Sequence, residues 1–207
     1  GVDYQTTARL ASGLTLQGGG STGRGVRNTC ELWKAVPQLQ GSDRAEACDV
    51  TEPWLSTLRG LASYTVPKAD VLVSLILRSN VTSASGDVAS NGSSLNANYR
   101  IPNTVVVGLL GRLPAGAQAN GFTTVTMTTP DMLYPERRTQ VDMRFAKILK
   151  FGRSRYNIGV DLYNMVNANS ALTYDQTYQF TDNGATWLRP LSITQPRLIR
   201  FNVTMTF

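Results

Sequence analysis

The stretch that decides the fold is residues 198–207, Leu-Ile-Arg-Phe-Asn-Val-Thr-Met-Thr-Phe. Apolar and polar side chains alternate strictly along it. The apolar positions are Ile199, Phe201, Val203, Met205 and Phe207. Successive side chains of a β-strand point to opposite faces, so this pattern predicts a strand with one apolar and one polar face.

The composition favours the same kind of strand throughout the chain. Of the 207 residues 42% are hydrophobic and only 16% are charged, well below the roughly one quarter of a typical soluble domain. Low charge is typical of transmembrane barrels, which interleave apolar and polar positions along each strand. The net charge is +6, but the basic residues are scattered, so no nucleic-acid partner is expected.

The pattern predicts an all-β protein of antiparallel transmembrane β-barrel strands. No apolar run is long enough for a membrane-spanning helix. About eight strands are expected. They are residues 2–17, 58–66, 71–79, 98–110, 122–128, 140–151, 155–166 and 198–207. The last strand, which ends in Phe207, resembles the C-terminal strand of bacterial outer-membrane barrels. The resemblance implies that it ends at the periplasmic rim, so the turns near Pro67, Gly111 and Gly152 are expected there too. The longer loops, with both cysteines, Asn91 and Trp187, would lie outside the cell.

The cysteines and carboxylates suggest structural roles. Cys30 and Cys48 lie in one turn-rich segment and are expected to form a disulfide in an oxidising compartment; two free thiols are the alternative. With no histidine in the chain, a His-based catalytic centre is excluded. Asp142 and Asp161 fall on neighbouring predicted strands, where a charge network is favoured over a glycosidase pair. We expect no enzyme activity, no cofactor and no metal site.

Several segments resemble a known family. They are residues 8–10 (Ala-Arg-Leu), 13–19 (Gly-Leu-Thr-Leu-Gln-Gly-Gly), 59–68 (Arg-Gly-Leu-Ala-Ser-Tyr-Thr-Val-Pro-Lys), 95–99 (Leu-Asn-Ala-Asn-Tyr), 134–144 (Tyr-Pro-Glu-Arg-Arg-Thr-Gln-Val-Asp-Met-Arg), 161–167 (Asp-Leu-Tyr-Asn-Met-Val-Asn) and 187–190 (Trp-Leu-Arg-Pro). Together they resemble the C-terminal barrel of TonB-dependent receptor-like proteins of the bacterial outer membrane. The subgroup is the one with a carboxypeptidase-regulatory-like N-terminal domain.

The resemblance implies partners and roles for particular residues. The last strand, through Phe201, Val203, Met205 and Phe207, is similar to the signal read by the barrel assembly machinery. Residues 1–207 would be the C-terminal part of a larger barrel, since a family receptor has about 22 strands. Its partners would be outer-membrane lipid, the remaining barrel and a plug domain. Trp33, Trp54 and Trp187 are candidate ligand contacts in the outer loops, although packing within those loops is favoured.

Three functions compete at this point. The first is the wall and extracellular loops of an energy-coupled uptake transporter for an unidentified ligand. The second is a structural or adhesive barrel of the outer membrane without transport. The third is a secreted soluble β-protein that binds carbohydrate. The alternating apolar face favours the first two, because lipid requires it and a soluble surface does not.

Overall fold

The protein is organised around one antiparallel sheet of seven strands. A computed structural model describes residues 1–40, 48–81, 94–114, 117, 121–129 and 132–207. The strands are β1 (Val2–Arg9), β2 (Leu14–Gly23), β3 (Val26–Asn28), β4 (Asp49–Thr51), β5 (Leu55–Val66), β6 (Val71–Val81), β7 (Asn98–Pro102), β8 (Phe122–Thr126), β9 (Arg137–Phe151), β10 (Ser154–Tyr163), β11 (Ala171–Tyr174), β12 (Thr177–Gln179), β13 (Pro190–Ile193) and β14 (Leu198–Thr206). The helices are α1 (Cys30–Ala35), α2 (Asn103–Leu110) and a 3-10 helix, Pro37–Gln40.

The large sheet follows the order of the chain. Its strand order is β1-β2-β5-β6-β9-β10-β14, and every neighbouring pair is antiparallel. The predicted all-β antiparallel architecture is therefore confirmed. In the described part of the chain the sheet is open, because no pairing joins β1 to β14. No helix in these ranges has the length and apolarity that crossing a membrane requires.

The connections alternate between short and long. Short turns at residues 10–13, 67–70 and 152–153 join β1 to β2, β5 to β6 and β9 to β10. Long connections at residues 24–54, 82–136 and 164–197 join the remaining neighbours. Because all pairs are antiparallel, the three short turns lie at one end of the sheet. Strand β14 runs towards that same end.

The predicted strand at residues 2–17 is wrong, because the structure has a hairpin there. The amide of Leu10 donates to the carbonyl of Leu14 (2.8 Å), and Gly13 turns the chain with φ 87°. Residues 18–23, which lie beyond the end of the predicted strand, continue β2. A Cβ at Gly20 would collide with the Tyr4 ring and the Thr57 carbonyl, so glycine allows this close approach.

The predicted strand at residues 98–110 is half wrong. Strand β7 ends at Pro102, and α2 follows. Proline is favoured near a helix start, and Gly111 ends the helix in the left-handed conformation (φ 69°), where its amide donates to the Val107 carbonyl (2.8 Å). The expected rim turn at Gly111 is therefore a helix end within a long connection.

Smaller sheets fill the long connections. Strand β7 pairs with β8 and β12, β3 with β4, and β11 with β13. The predicted strand at residues 122–128 thus lies outside the large sheet, and the loop predicted at residues 167–195 contains three short strands. Several buried residues, among them Leu95, Ala97 and Val106, also lie in these connections. The predicted loop around Asn91 lies outside the described residues.

Candidate functional site

One face of the large sheet is apolar across all seven strands. Strand register places Val203, Ile158 and Lys147 in one row, and Phe201, Val160, Phe145 and Val73 in the next. The charged side chains on this face in the described strands are Lys147 and Arg137. Arg137 is the first residue of β9, and its guanidinium donates to the Ser79 hydroxyl (3.2 Å). The face is open to its surroundings at β14, where Phe201 is 79% exposed and Val203 67%. The alternation predicted for residues 198–207 therefore has a counterpart on every neighbouring strand.

The apolar face ends in hydroxyl groups towards the long connections. Thr22 on β2 bonds to Ser56 on β5 (2.9 Å), and Ser79 on β6 bonds to Thr139 on β9 (2.9 Å). Towards the short turns, the Lys147 amine reaches the carbonyl of Ala69. The face is thus bounded at both ends by polar groups.

The opposite face carries a charge network centred on Asp161. Its carboxylate is buried and accepts hydrogen bonds from Arg200 (2.9 Å) on β14 and from Asn202 (2.9 Å) on the same strand. The guanidinium of Arg144 on β9 lies 3.6 Å from its other oxygen. Arg155, on the same strand and face as Asp161, lies opposite Lys150 and Thr206.

Asp142 belongs to a separate network at the end of the strands. It accepts hydrogen bonds from the backbone amide of Asn164 (2.9 Å) and from the Gln140 side chain (2.9 Å). Asp142 and Asp161 are therefore both engaged by neighbouring donors. These contacts favour the charge network over a pair of carboxylates presented to a substrate.

A groove lies over the other half of the polar face, across β1, β2, β5 and β6. Its volume is about 680 Å³. Arg59 on β5 and Arg78 on β6 line it and are directly opposite in register. The face is not uniformly polar, because Leu61 and Ile76 form the adjacent cross-strand pair.

The disulfide predicted between Cys30 and Cys48 is confirmed, with 4.7 Å between the Cα atoms. It joins α1 to the residue before β4. Beside it, the Thr29 amide donates to the Cys48 carbonyl (2.7 Å). The bridge therefore fixes the small β3–β4 hairpin in the first long connection.

The three tryptophans lie in different surroundings. Trp33 on α1 is half-buried, and Trp54 is 59% exposed with the Arg24 guanidinium 5.7 Å from its ring centroid. Trp187 donates its indole N–H to the carbonyl of Asn96 (3.1 Å). The structure shows no ring contact among the three within the described residues. Trp187 acts in loop packing, whereas Trp54 is presented outward.

An aromatic cluster in the long connections was not anticipated from the sequence. Tyr178 contacts Trp187 and Tyr99, with ring centroids 6.1 Å and 5.6 Å away, and Phe180 lies 6.4 Å from Tyr99. The parallel pairing of β12 with β7 brings these residues together. The pairing joins segments that are far apart in sequence, so the sequence does not predict the cluster. Its only indication in the sequence was the number of aromatic residues.

Known proteins offer no guide to this arrangement, since no family model, no curated protein and no solved structure matches the chain. Functional conclusions therefore rest on the geometry of the two faces and of the connections. Among the described residues no group of three or more His, Cys, Asp or Glu side chains is placed to hold a metal ion.

Proposed function

We propose that this chain forms wall and extracellular loops of a bacterial outer-membrane transporter of the TonB-dependent receptor-like kind. The observation that carries the proposal is the exposed apolar face, which continues through seven strands. A sheet in a soluble protein covers such a face with a second layer. Lipid accepts it uncovered, provided that the backbone is paired within the sheet.

The length of the apolar face supports a membrane wall. On β6 it extends over nine residues, from Val71 to the hydroxyl boundary at Ser79. A tilted β-strand that crosses a membrane needs about 9–11 residues. The amine of Lys147 donates to the Ala69 carbonyl in the turn at residues 67–70. A lysine on a lipid-facing surface extends its amine to the interface in this way.

The alternation of the connections supports an orientation. Barrels of the outer membrane have short periplasmic turns and longer extracellular loops. The three short turns and Phe207 would accordingly face the periplasm, where the assembly machinery would engage β14. The disulfide-linked segment and the aromatic cluster would face outward, where a ligand arrives.

The transport role rests on the resemblance and on the polar face. In this arrangement the Asp161 network and the groove line the interior, and a plug domain from elsewhere in the polypeptide fills it. Ligand choice would depend on the outer connections, with exposed Trp54 as the tryptophan best placed to contact a ligand.

Adjacent residues of β14 provide a matched test. Val203 lies on the apolar face opposite Ile158, and Thr204 lies on the polar face opposite Asn157. We expect Val203→Arg to impair membrane insertion, because a basic residue on the lipid-facing side of a barrel strand is destabilising, by about 2–4 kcal/mol at the bilayer midplane and by less towards the interface. Thr204→Arg, which adds the same charge one residue away, should insert normally. The measurement is the folded, protease-resistant fraction of the native polypeptide in outer-membrane preparations.

Equal insertion of the two variants would contradict the membrane face assigned here. Loss of insertion in Thr204→Arg alone would reverse the assignment of the two faces. A protein that remains soluble and monodisperse without detergent would support the secreted carbohydrate-binding alternative instead.

A further inference from the structure

Two arginines of the polar face oppose each other without a carboxylate between them. Arg59 on β5 and Arg78 on β6 are direct cross-strand partners, and both are exposed. Neither forms an ion pair with the described part of the chain. Like charges directly opposite on antiparallel strands are destabilising, so this pair is unfavourable for folding alone.

Other basic neighbours on the same face form ion pairs with a carboxylate of the protein itself. Arg144 and Arg200 flank Asp161, at 3.6 Å and 2.9 Å. Lys150, which faces Arg155, lies 3.5 Å from the carboxylate of Asp70. The sheet thus supplies a carboxylate at two places where basic groups gather. Arg59 and Arg78 differ from both.

The surroundings of the pair form a recess for a small molecule. The groove of about 680 Å³ includes the backbone of residues 18–20, three consecutive glycines. Gly19 lies on the polar face between Gln5 and Arg59 and brings no side chain into the groove. Gln5, Gln17 and Ser21 line it with hydrogen-bonding groups. Asp3 is the one carboxylate among its lining residues, so two arginines against one aspartate leave the lining with a charge of +1.

We propose that Arg59 and Arg78 bind a phosphate group of a soluble ligand in this groove. The positive charge of the lining attracts an anion, and the planar fork of each guanidinium suits two oxygens of a phosphate. A carboxylate has only two oxygens and so fills one fork, whereas a phosphate has enough oxygens to engage both. The site requires only the pairing of β1, β2, β5 and β6, and so it stands independently of the membrane role proposed above.

Calorimetric titration of the native polypeptide, purified in detergent at low ionic strength, tests the site. Inorganic phosphate and glycerol 3-phosphate are the two probes, and they distinguish a free ion from a phosphate ester as the ligand. We expect saturable binding of at least one probe. Arg59→Gln and Arg78→Gln should each weaken it tenfold or more, and Arg78→Lys should restore part of the loss. Acetate should bind more weakly than phosphate.

Arg9→Gln is the matched control, because Arg9 is an exposed arginine on the same face of β1, opposite Thr15 and outside the groove. It should leave phosphate binding unchanged. Absence of saturable binding to the wild-type protein would overturn the site, and so would an equal loss in all three glutamine variants. Normal insertion of Val203→Arg together with arginine-dependent phosphate binding would refute the membrane role and leave the site in place.

Discussion

Asn164 shows how a single residue ends a strand and secures the connection that follows. It adopts the left-handed conformation, with φ 50°, directly after β10. Its buried side chain donates to the carbonyls of Ala168 and Gln195 (2.8 Å each) and accepts from the Ala168 amide (2.8 Å). Asparagine tolerates this backbone conformation better than most residues. The predicted end of the strand at residue 166 is therefore three residues too late.

Replacing Asn164 should destabilise the fold more than replacing a neighbour with the same backbone. Asn164→Ala loses three side-chain hydrogen bonds, which at about 1 kcal/mol each, plus left-handed strain, costs about 3–5 kcal/mol of unfolding free energy. Asn167→Ala carries similar strain (φ 53°) but loses only the bond from the Arg197 amide (3.1 Å). Denaturant unfolding of the purified protein measures both. Equal losses would show that the three side-chain bonds of Asn164 contribute no more than the single bond of Asn167.

At the scale of secondary-structure elements, the alternation of apolar and polar residues predicts the presence of strands but not all of their ends. The predictions for β5, β6, β9, β10 and β14 agree with the structure to within three residues. The turn between β1 and β2 escaped detection because Ala8 and Leu14 are an even number of residues apart, so the alternation continues through the hairpin. Within the turn itself, Gly13 was the residue that indicated a change of direction, because glycine is common in turns.

Helix α2 shows the opposite error, in which a β-branched run forms a helix. Val105, Val106 and Val107 suggested a strand, but Pro102 and Gly111 are residues that commonly flank helices. Tertiary context decides between these signals. The groove and the Asp161 network depend on which residues face each other on neighbouring strands, and alternation alone does not determine this register. The sequence therefore assigns their residues to a face of the sheet but does not identify the cross-strand partner of each.

The disulfide should stabilise only its own connection. In Cys30→Ser combined with Cys48→Ser, we expect faster amide hydrogen exchange at residues 26–35 and 48–51, with β9 and β10 unchanged. Closing a loop of this length contributes at most about 3 kcal/mol in the chain-entropy account. Glu31→Gln, which removes the exposed Glu31–Lys34 pair (2.9 Å) and keeps the bridge, is the control. Unchanged exchange near the cysteines would refute a stabilising role.

For the whole molecule, the number of strands has a consequence for its size. The described sheet has seven strands and two unpaired edges, β1 and β14. Single-chain bacterial barrels have an even number of strands and no edge. A wall built from this sheet therefore needs at least one further strand, and the resemblance implies many more.

An antibody against this chain should detect a polypeptide much larger than 22.5 kDa in the outer-membrane fraction of the cells that produce it. Its size should shift on boiling in detergent, as a folded barrel unfolds. The inner-membrane and soluble fractions serve as controls. A band of 22.5 kDa would contradict the larger barrel and favour a self-contained structural protein.

The strands of the large sheet lie in the order in which they occur in the chain. Such a sheet can gain or lose two paired strands, a hairpin, without disturbing the others. Duplicating or deleting β5 together with β6 would leave every later strand pointing as before. Gaining or losing one strand alone would invert the direction of all the strands that follow and move their connections to the opposite end of the sheet. Lineages of such chains should therefore lengthen and shorten by paired strands, while their long connections diversify freely.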